Sequence, residues 1–169
     1  MTVSAVSGGK VTATTCGEDL RWKLLLALPP ASFATERARA LLPATYSRAD
    51  AVANIQRAGL LVAAFALGRG DLLRVAMQDR LHQPYRMGAC PMLGLLLPLA
   101  GTHGVLGVAL SGAGPGVLLV VEEATSVDEI SARIRAAVGN SELEIIETAI
   151  GRGAFERSSG ESGKRHKTG

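Results

Sequence analysis

The sequence predicts an α+β fold: a two-layer sandwich in which a mainly antiparallel sheet carries helices over one face. Two observations lead there. The apolar, β-branched runs 105–110 and 117–121 flank the glycine turn Ser111-Gly112-Ala113-Gly114-Pro115-Gly116, as paired strands would. The wider order is strand, strand, several helices, strand, strand, helix, strand, which is not the strict alternation of a parallel α/β sheet. With 169 residues, 47% of them hydrophobic, the chain can bury a core without disulfides or metal.

The elements follow in order. Residues 3–15 alternate weakly around Gly8-Gly9, a hairpin signal. Leu24–Leu28 is a short apolar run stopped by Pro29-Pro30, as a buried strand would be. Thr35–Leu42 reads as a helix with Thr35 as its N-cap and Pro43 as its stop. Ser47–Leu67 is the clearest helix, with Ser47 as cap, Asp50 three residues on, and Gly68 as stop. Its second half, Leu60–Leu67, is apolar all round and is expected to be buried on most faces. A further helix is expected over Asp71–Arg80, capped by Asp71, with Leu72, Leu73, Val75 and Ala76 as its apolar side. Pro91–Ala100 reads as a short helix broken or curved at Pro98. Ser126–Val138 is amphipathic, with Ser126 as cap, Glu129 at the capping-box position and Gly139 as stop. Leu143–Ile150 is a last strand.

Charge and composition exclude several functions. Residues 152–169 hold five basic and two acidic side chains, the whole of the net +3, while residues 1–151 balance at 13 and 13. The body is therefore no bulk polyanion binder, and the basic Gly/Ser-rich tail is expected to be disordered. Aromatics at 4% argue against stacked single-strand nucleic-acid binding. Cys16 and Cys90 lack metal-ligand spacing and read as free thiols, and the first residues do not resemble a secretory signal, so a cytoplasmic location is expected. Residues 87–121 lack formal charge but carry eight glycines and three prolines, which reads as a short helix and buried strands in place of a membrane span.

Two segments could carry chemistry. The Ser111–Gly116 turn offers backbone amides to an anion or is simply a structural hairpin. It is not a Walker loop, since no Gly-Lys-Ser/Thr follows, and not a Rossmann turn, since a strand follows. The segment Asp79-Arg80-Leu81-His82-Gln83-Pro84-Tyr85-Arg86 gathers two arginines, a histidine and an amide. Either it grips a carboxylate through arginine or it is a solvated helix end with Arg80 and Arg86 in water. Arg39 alone would be a surface arginine.

A resemblance joins these pieces. Ala38-Arg39-Ala40-Leu41-Leu42-Pro43, Asp50-Ala51-Val52-Ala53-Asn54, the DRLHQPYR run of 79–86 and Gly107–Pro115 occur in this order. Together they resemble the C-terminal half of the homoserine kinases, members of the GHMP small-molecule kinase family, over about residues 3–153. The resemblance implies a ferredoxin-like domain over residues 1–151, with 1–15 as the end of an N-terminal domain's sheet. It implies transfer of the ATP γ-phosphate to the homoserine hydroxyl with Mg²⁺, in threonine biosynthesis. Arg39 and Arg86 would hold the amino-acid carboxylate, and Ser111, Gly112, Ala113 and Gly114 would lie against the phosphate region. Asn54 and His82 match motif positions without an assigned role, and no catalytic or metal residue is assigned. Gly116 departs from the Ser or Thr often found there. The family's Pro-x-x-x-Gly-Leu-Gly-Ser-Ser loop and Mg²⁺ ligands belong to the N-terminal half and do not occur here. The expected partners are homoserine and a separate N-terminal half, with self-association through an uncovered seam; neither nucleic acid nor membrane is expected. The alternative is a non-catalytic amino-acid-binding or regulatory module, or an inactive remnant.

Overall fold

Lys23–Leu28 (β3) is apolar on both faces, and it occupies an interior position in the sheet. In the computed structural model, which describes residues 1–30 and 35–151, β3 lies between Val117–Val121 (β5) and Glu144–Ala149 (β6). Val105–Leu110 (β4) flanks β5, giving the order β4-β5-β3-β6 with every neighbouring pair antiparallel. This is the split βαββαβ order of a ferredoxin-like sheet. The expected basic tail lies outside the described residues.

Alternation along the strands divides the core between the two faces. Leu25, Ala27, Val117, Leu119 and Val121 meet Pro91–Leu96 (α5) and Val127–Val138 (α6) in the larger cluster. Leu24 and Val120 point the other way, toward Ala64, Phe65 and Leu61 of Arg48–Leu67 (α2) and Leu73 of Leu73–Ala76 (α3). The α+β layout and the antiparallel sheet are as the sequence predicts. The helix layer over one face is formed by α5 and α6, and α2 and α3 add a partial layer on the other.

Capping fixes the long helices where the sequence places them. Ser47 Oγ accepts from Asp50 N at 3.0 Å, and Gly68, at φ 65°, ends α2. Ser126 Oγ accepts from Glu129 N at 3.3 Å and opens α6. Thr2–Ser7 (β1) and Lys10–Thr15 (β2) form a separate hairpin around Gly8 and Gly9, both with positive φ. Almost every residue of these two strands is exposed.

Three local expectations are corrected. The Asp71–Arg80 helix is only a 3-10 turn at Gly70–Leu72 followed by the one-turn α3, and Val75 is exposed. Asp71 does not cap it; its carboxylate takes two bonds from the Arg69 guanidinium. Thr35 lies inside Thr35–Ala40 (α1). The second half of α2 is not buried on most faces: only Ala64 is fully buried, and Leu67 is 71% exposed. One stripe of α2 reaches the sheet, and no described element covers the rest. This helix alone, among the described residues, is long and apolar enough to cross a membrane. Its exposed apolar residues continue onto Val52 and Ile55.

Truncating the central core should be costly and truncating the α2 face should not. Leu119→Ala, at a fully buried site, is expected to lower stability by about 2–5 kcal/mol. Ile55→Ala, at a site 71% exposed, should change it by less than about 0.5 kcal/mol. Urea midpoints compared with wild type check both values.

Candidate functional site

The sheet face that carries Leu24 and Val120 is only partly covered, and beside α2 it opens into a cleft of about 1040 Å³. Arg39, Asn54, Arg57, His82, Arg86, Gly112 and Ala113 all line it. The structure thus brings together most of the residues that the sequence singles out. Ser111 and Gly114 are not among its lining residues. Their amides close the turn instead, Ser111 N to Gly116 O at 2.8 Å and Gly114 N to Ser111 O at 3.1 Å.

Arg86 is not in water. It ends the one-turn helix Gln83–Arg86 (α4) and is 7% exposed. Its Nε donates to Ala38 O of α1 at 3.3 Å, and its Nη1 donates to Gly112 O at 3.4 Å. One guanidinium therefore joins α1, α4 and the glycine turn. No acidic side chain pairs with it among the described residues. A buried cation held only by neutral carbonyls is poorly compensated and attracts an anion. Arg39 is exposed at the cleft wall, and its guanidinium has no hydrogen-bond or ion-pair partner among the described residues. Arg80 is half-exposed and faces Asp50 at 3.5 Å.

The short helix α4 is held from outside. Asp79 Oδ1 accepts from Leu81 N at 3.0 Å, and Oδ2 accepts from His82 N at 2.7 Å and from Gln83 N. These bonds satisfy amides that a four-residue helix cannot satisfy itself. Asn54 Nδ2 donates to Asp79 Oδ1 at 2.6 Å, and Asn54 Oδ1 accepts from Arg80 N at 2.8 Å. Asn54 thereby ties α2 to the loop, a positioning part. His82 Nδ1 lies 3.4 Å from Asp79 Oδ1, with the ring half-exposed in the cleft. Burial raises the Asp79 pKa, but the bonds from Gln83 N, Asn54, Leu81 N and His82 N outweigh it and bring the carboxyl down to about 2.

Asp79 and Gln83 are structural keys that the sequence reading did not assign. Gln83 is buried; its Oε1 accepts from Leu110 N at 2.9 Å and its Nε2 donates to Met77 O at 3.3 Å, pinning the end of β4. The available signal for Asp79 was an aspartate preceding a short helix with proline in its first turn. Cys90 is buried with its Sγ near the position a Gly114 side chain would take. Burial pushes its thiol up, and the Arg86 charge opposes that.

Comparison with known proteins gives this architecture a class. Residues 61–140 match the family model described as GHMP kinases C terminal. The chain is similar to a part of homoserine kinases. It is 40% identical to the homoserine kinase of Solibacter usitatus over 151 residues, covering 89% of this chain and 49% of that protein. Over 91 residues it is 53% identical to the homoserine kinase of Deinococcus radiodurans, covering 54% of this chain and 30% of that one. The crystal structure of homoserine kinase from Cytophaga hutchinsonii superposes with a TM-score of 0.66 at 21% identity. That match covers 82% of this chain and 44% of the other, and it bears on the fold alone. The chain spans about half the length of the first relative it matches, or less.

The Asp79 cluster makes a pH prediction. A carboxyl lowered from 3.8 to about 2 adds stability that is fully present above about pH 4 and fades as pH falls toward 2. Wild type should therefore lose its stability advantage over Asp79→Asn across that window. Urea unfolding of both proteins at pH 6, 4 and 2.5 measures this; an advantage undiminished at pH 2.5 would count against the assignment.

Proposed function

We propose that this chain is the amino-acid-binding half of a homoserine kinase-like phosphotransferase. The observation that carries the reading is the buried Arg86 guanidinium, which lines the cleft with two neutral acceptors and no carboxylate partner among the described residues. The carboxylate of an amino acid supplies the missing anion, with Arg39 on the same cleft wall as its second contact. Homoserine is the amino alcohol that the similarity to homoserine kinases favours.

The reaction also needs a nucleotide cradle. Phosphoryl transfer rests on positioning and neutralising the γ-phosphate. In the glycine turn, Gly112 and Ala113 present amides without a hydrogen-bond partner among the described residues, and the other glycine-loop amides noted above are engaged. No group of three or more His, Cys, Asp or Glu side chains that could hold a metal ion occurs among the described residues. In this reading ATP and its Mg²⁺ are held mainly by an N-terminal half. The hairpin β1-β2, exposed on both faces, supports its reading as the edge of that half's sheet, because an isolated hairpin is marginal in water.

In this arrangement Asp79 and Asn54 set the position of α4, α4 presents Arg86, and Arg39 closes on the carboxylate from α1. Fixing that end orients the side-chain hydroxyl toward the open mouth of the cleft, where the second half would lie.

Reconstitution tests the proposal. The 169-residue chain should show no ATP-dependent phosphorylation of homoserine alone and should show it when mixed with the N-terminal half of a related enzyme. Absence of activity with both pieces folded would overturn the reading. Homoserine binding by calorimetry with no effect of ATP in the mixture would favour the regulatory module instead. In the active mixture, Arg39→Gln should raise KM about tenfold to a hundredfold, the loss of one charge-assisted bond of about 1.5–3 kcal/mol. Arg86→Lys, which keeps charge but not the guanidinium fork, should impair activity as well.

A further inference from the structure

Arg57 lies one turn beyond Asn54 on α2 and lines the same cleft. Its Nη2 donates to Gln78 Oε1 at 3.2 Å. Its Nη1 is buried and has no hydrogen-bond partner among the described residues. Leaving such a donor unsatisfied is costly, and a charged donor more so. The acids nearby are already engaged. Asp79 accepts four bonds, Glu18 accepts from Thr15 at 2.7 Å, and Asp50 accepts from Ser47 and faces Arg80. The cleft is therefore lined by a third cation, apart from the Arg39–Arg86 pair, with one donor that is buried as it stands and that no described residue fills.

We propose that Arg57 is an anion-binding residue of the cleft that contacts a phosphoryl group. The class of ligand rests on the proposed function: with Arg39 and Arg86 holding the carboxylate end, the remaining anion in a phosphotransferase cleft is a phosphoryl group. That group belongs either to the nucleotide or to the phosphorylated amino alcohol. The apolar side chains that follow on the same stripe, Leu61 and Phe65, provide no competing acceptor.

The test uses the 169-residue chain. Inorganic phosphate is titrated while the Arg57 side-chain Nε–H signal and the melting temperature are followed. Phosphate should shift that signal and raise Tm, and Arg57→Gln should weaken the affinity about tenfold to a hundredfold. Arg57→Lys should retain part of it. Because Arg57→Gln deletes an unsatisfied buried donor, its Tm without phosphate should not fall, whereas a merely structural role through Gln78 would lower it. O-phosphohomoserine and a non-hydrolysable ATP analogue, compared in both proteins, tell which phosphoryl source depends on Arg57. An unmoved Arg57 signal, or phosphate affinity unchanged in Arg57→Gln, overturns the assignment and indicates that a side chain of another protein half fills Nη1. Intact phosphate binding with no homoserine binding would instead defeat the amino-acid reading and leave Arg57 as an anion site.

Discussion

The Asp79 carboxylate takes hydrogen bonds from three successive backbone amides, Leu81, His82 and Gln83, and a fourth from Asn54. Much of the cleft wall depends on that convergence. A helix of four residues cannot nucleate on its own, because ordering one turn costs more than its few bonds return. Asp79 supplies the acceptors that α4 lacks neighbours to provide, and Asn54 anchors Asp79 to the long helix α2. From that base Gln83 reaches the end of β4 and Arg86 reaches α1 and the glycine turn. Four elements are thus joined through side chains from one eight-residue segment.

The same network would let a nearly neutral body recognise an anion, as proposed above. Most of the acceptors around the cleft are occupied: Asp79, Glu18, Gln83 and Asn54 each accept from a named donor. The groups left without a full set of partners among the described residues are donors, on Arg39, Arg57 and Arg86. Local hydrogen-bond demand, more than net charge, would set the proposed preference for an anionic ligand. In a partly buried site that demand is worth more than it would be in water.

Much of this was legible in the chain. The strands β3, β4 and β5 follow from apolar runs bounded by glycine and proline, and α2 and α6 follow from Ser caps and glycine stops. Arg39, Asn54, His82, Arg86, Gly112 and Ala113 do share one cleft. What local pattern did not reveal was set by long-range bonds. The expected helix over 71–80 fails because residues 78–80 are drawn to α2 by Asn54 and Arg57, 21 to 26 residues away. The glycine turn spends two amides internally, a matter of its closed geometry and not of its composition. The apolar second half of α2 suggested burial because periodicity reports what a helix could bury, whereas the described residues cover only one of its stripes.

That stripe connects binding to folding. Along α2, Asn54 and Arg57 face the cleft, and Leu61, Ala64 and Phe65 continue the same side down onto Leu24 and Val120. The opposite face of the sheet is closed by α5 and α6 into a continuous apolar cluster. One face therefore holds the fold, while the other is shared between a small core and an open site. Because a single helix contributes to both, a ligand that fills the arginine end also restrains the packing end. The exposed Val52 and Ile55 lie on the same helix, outside that stripe. A second protein half seated there would cover apolar surface and, through α2, hold the cleft wall in place. Closure of the site and completion of the fold would then be one event.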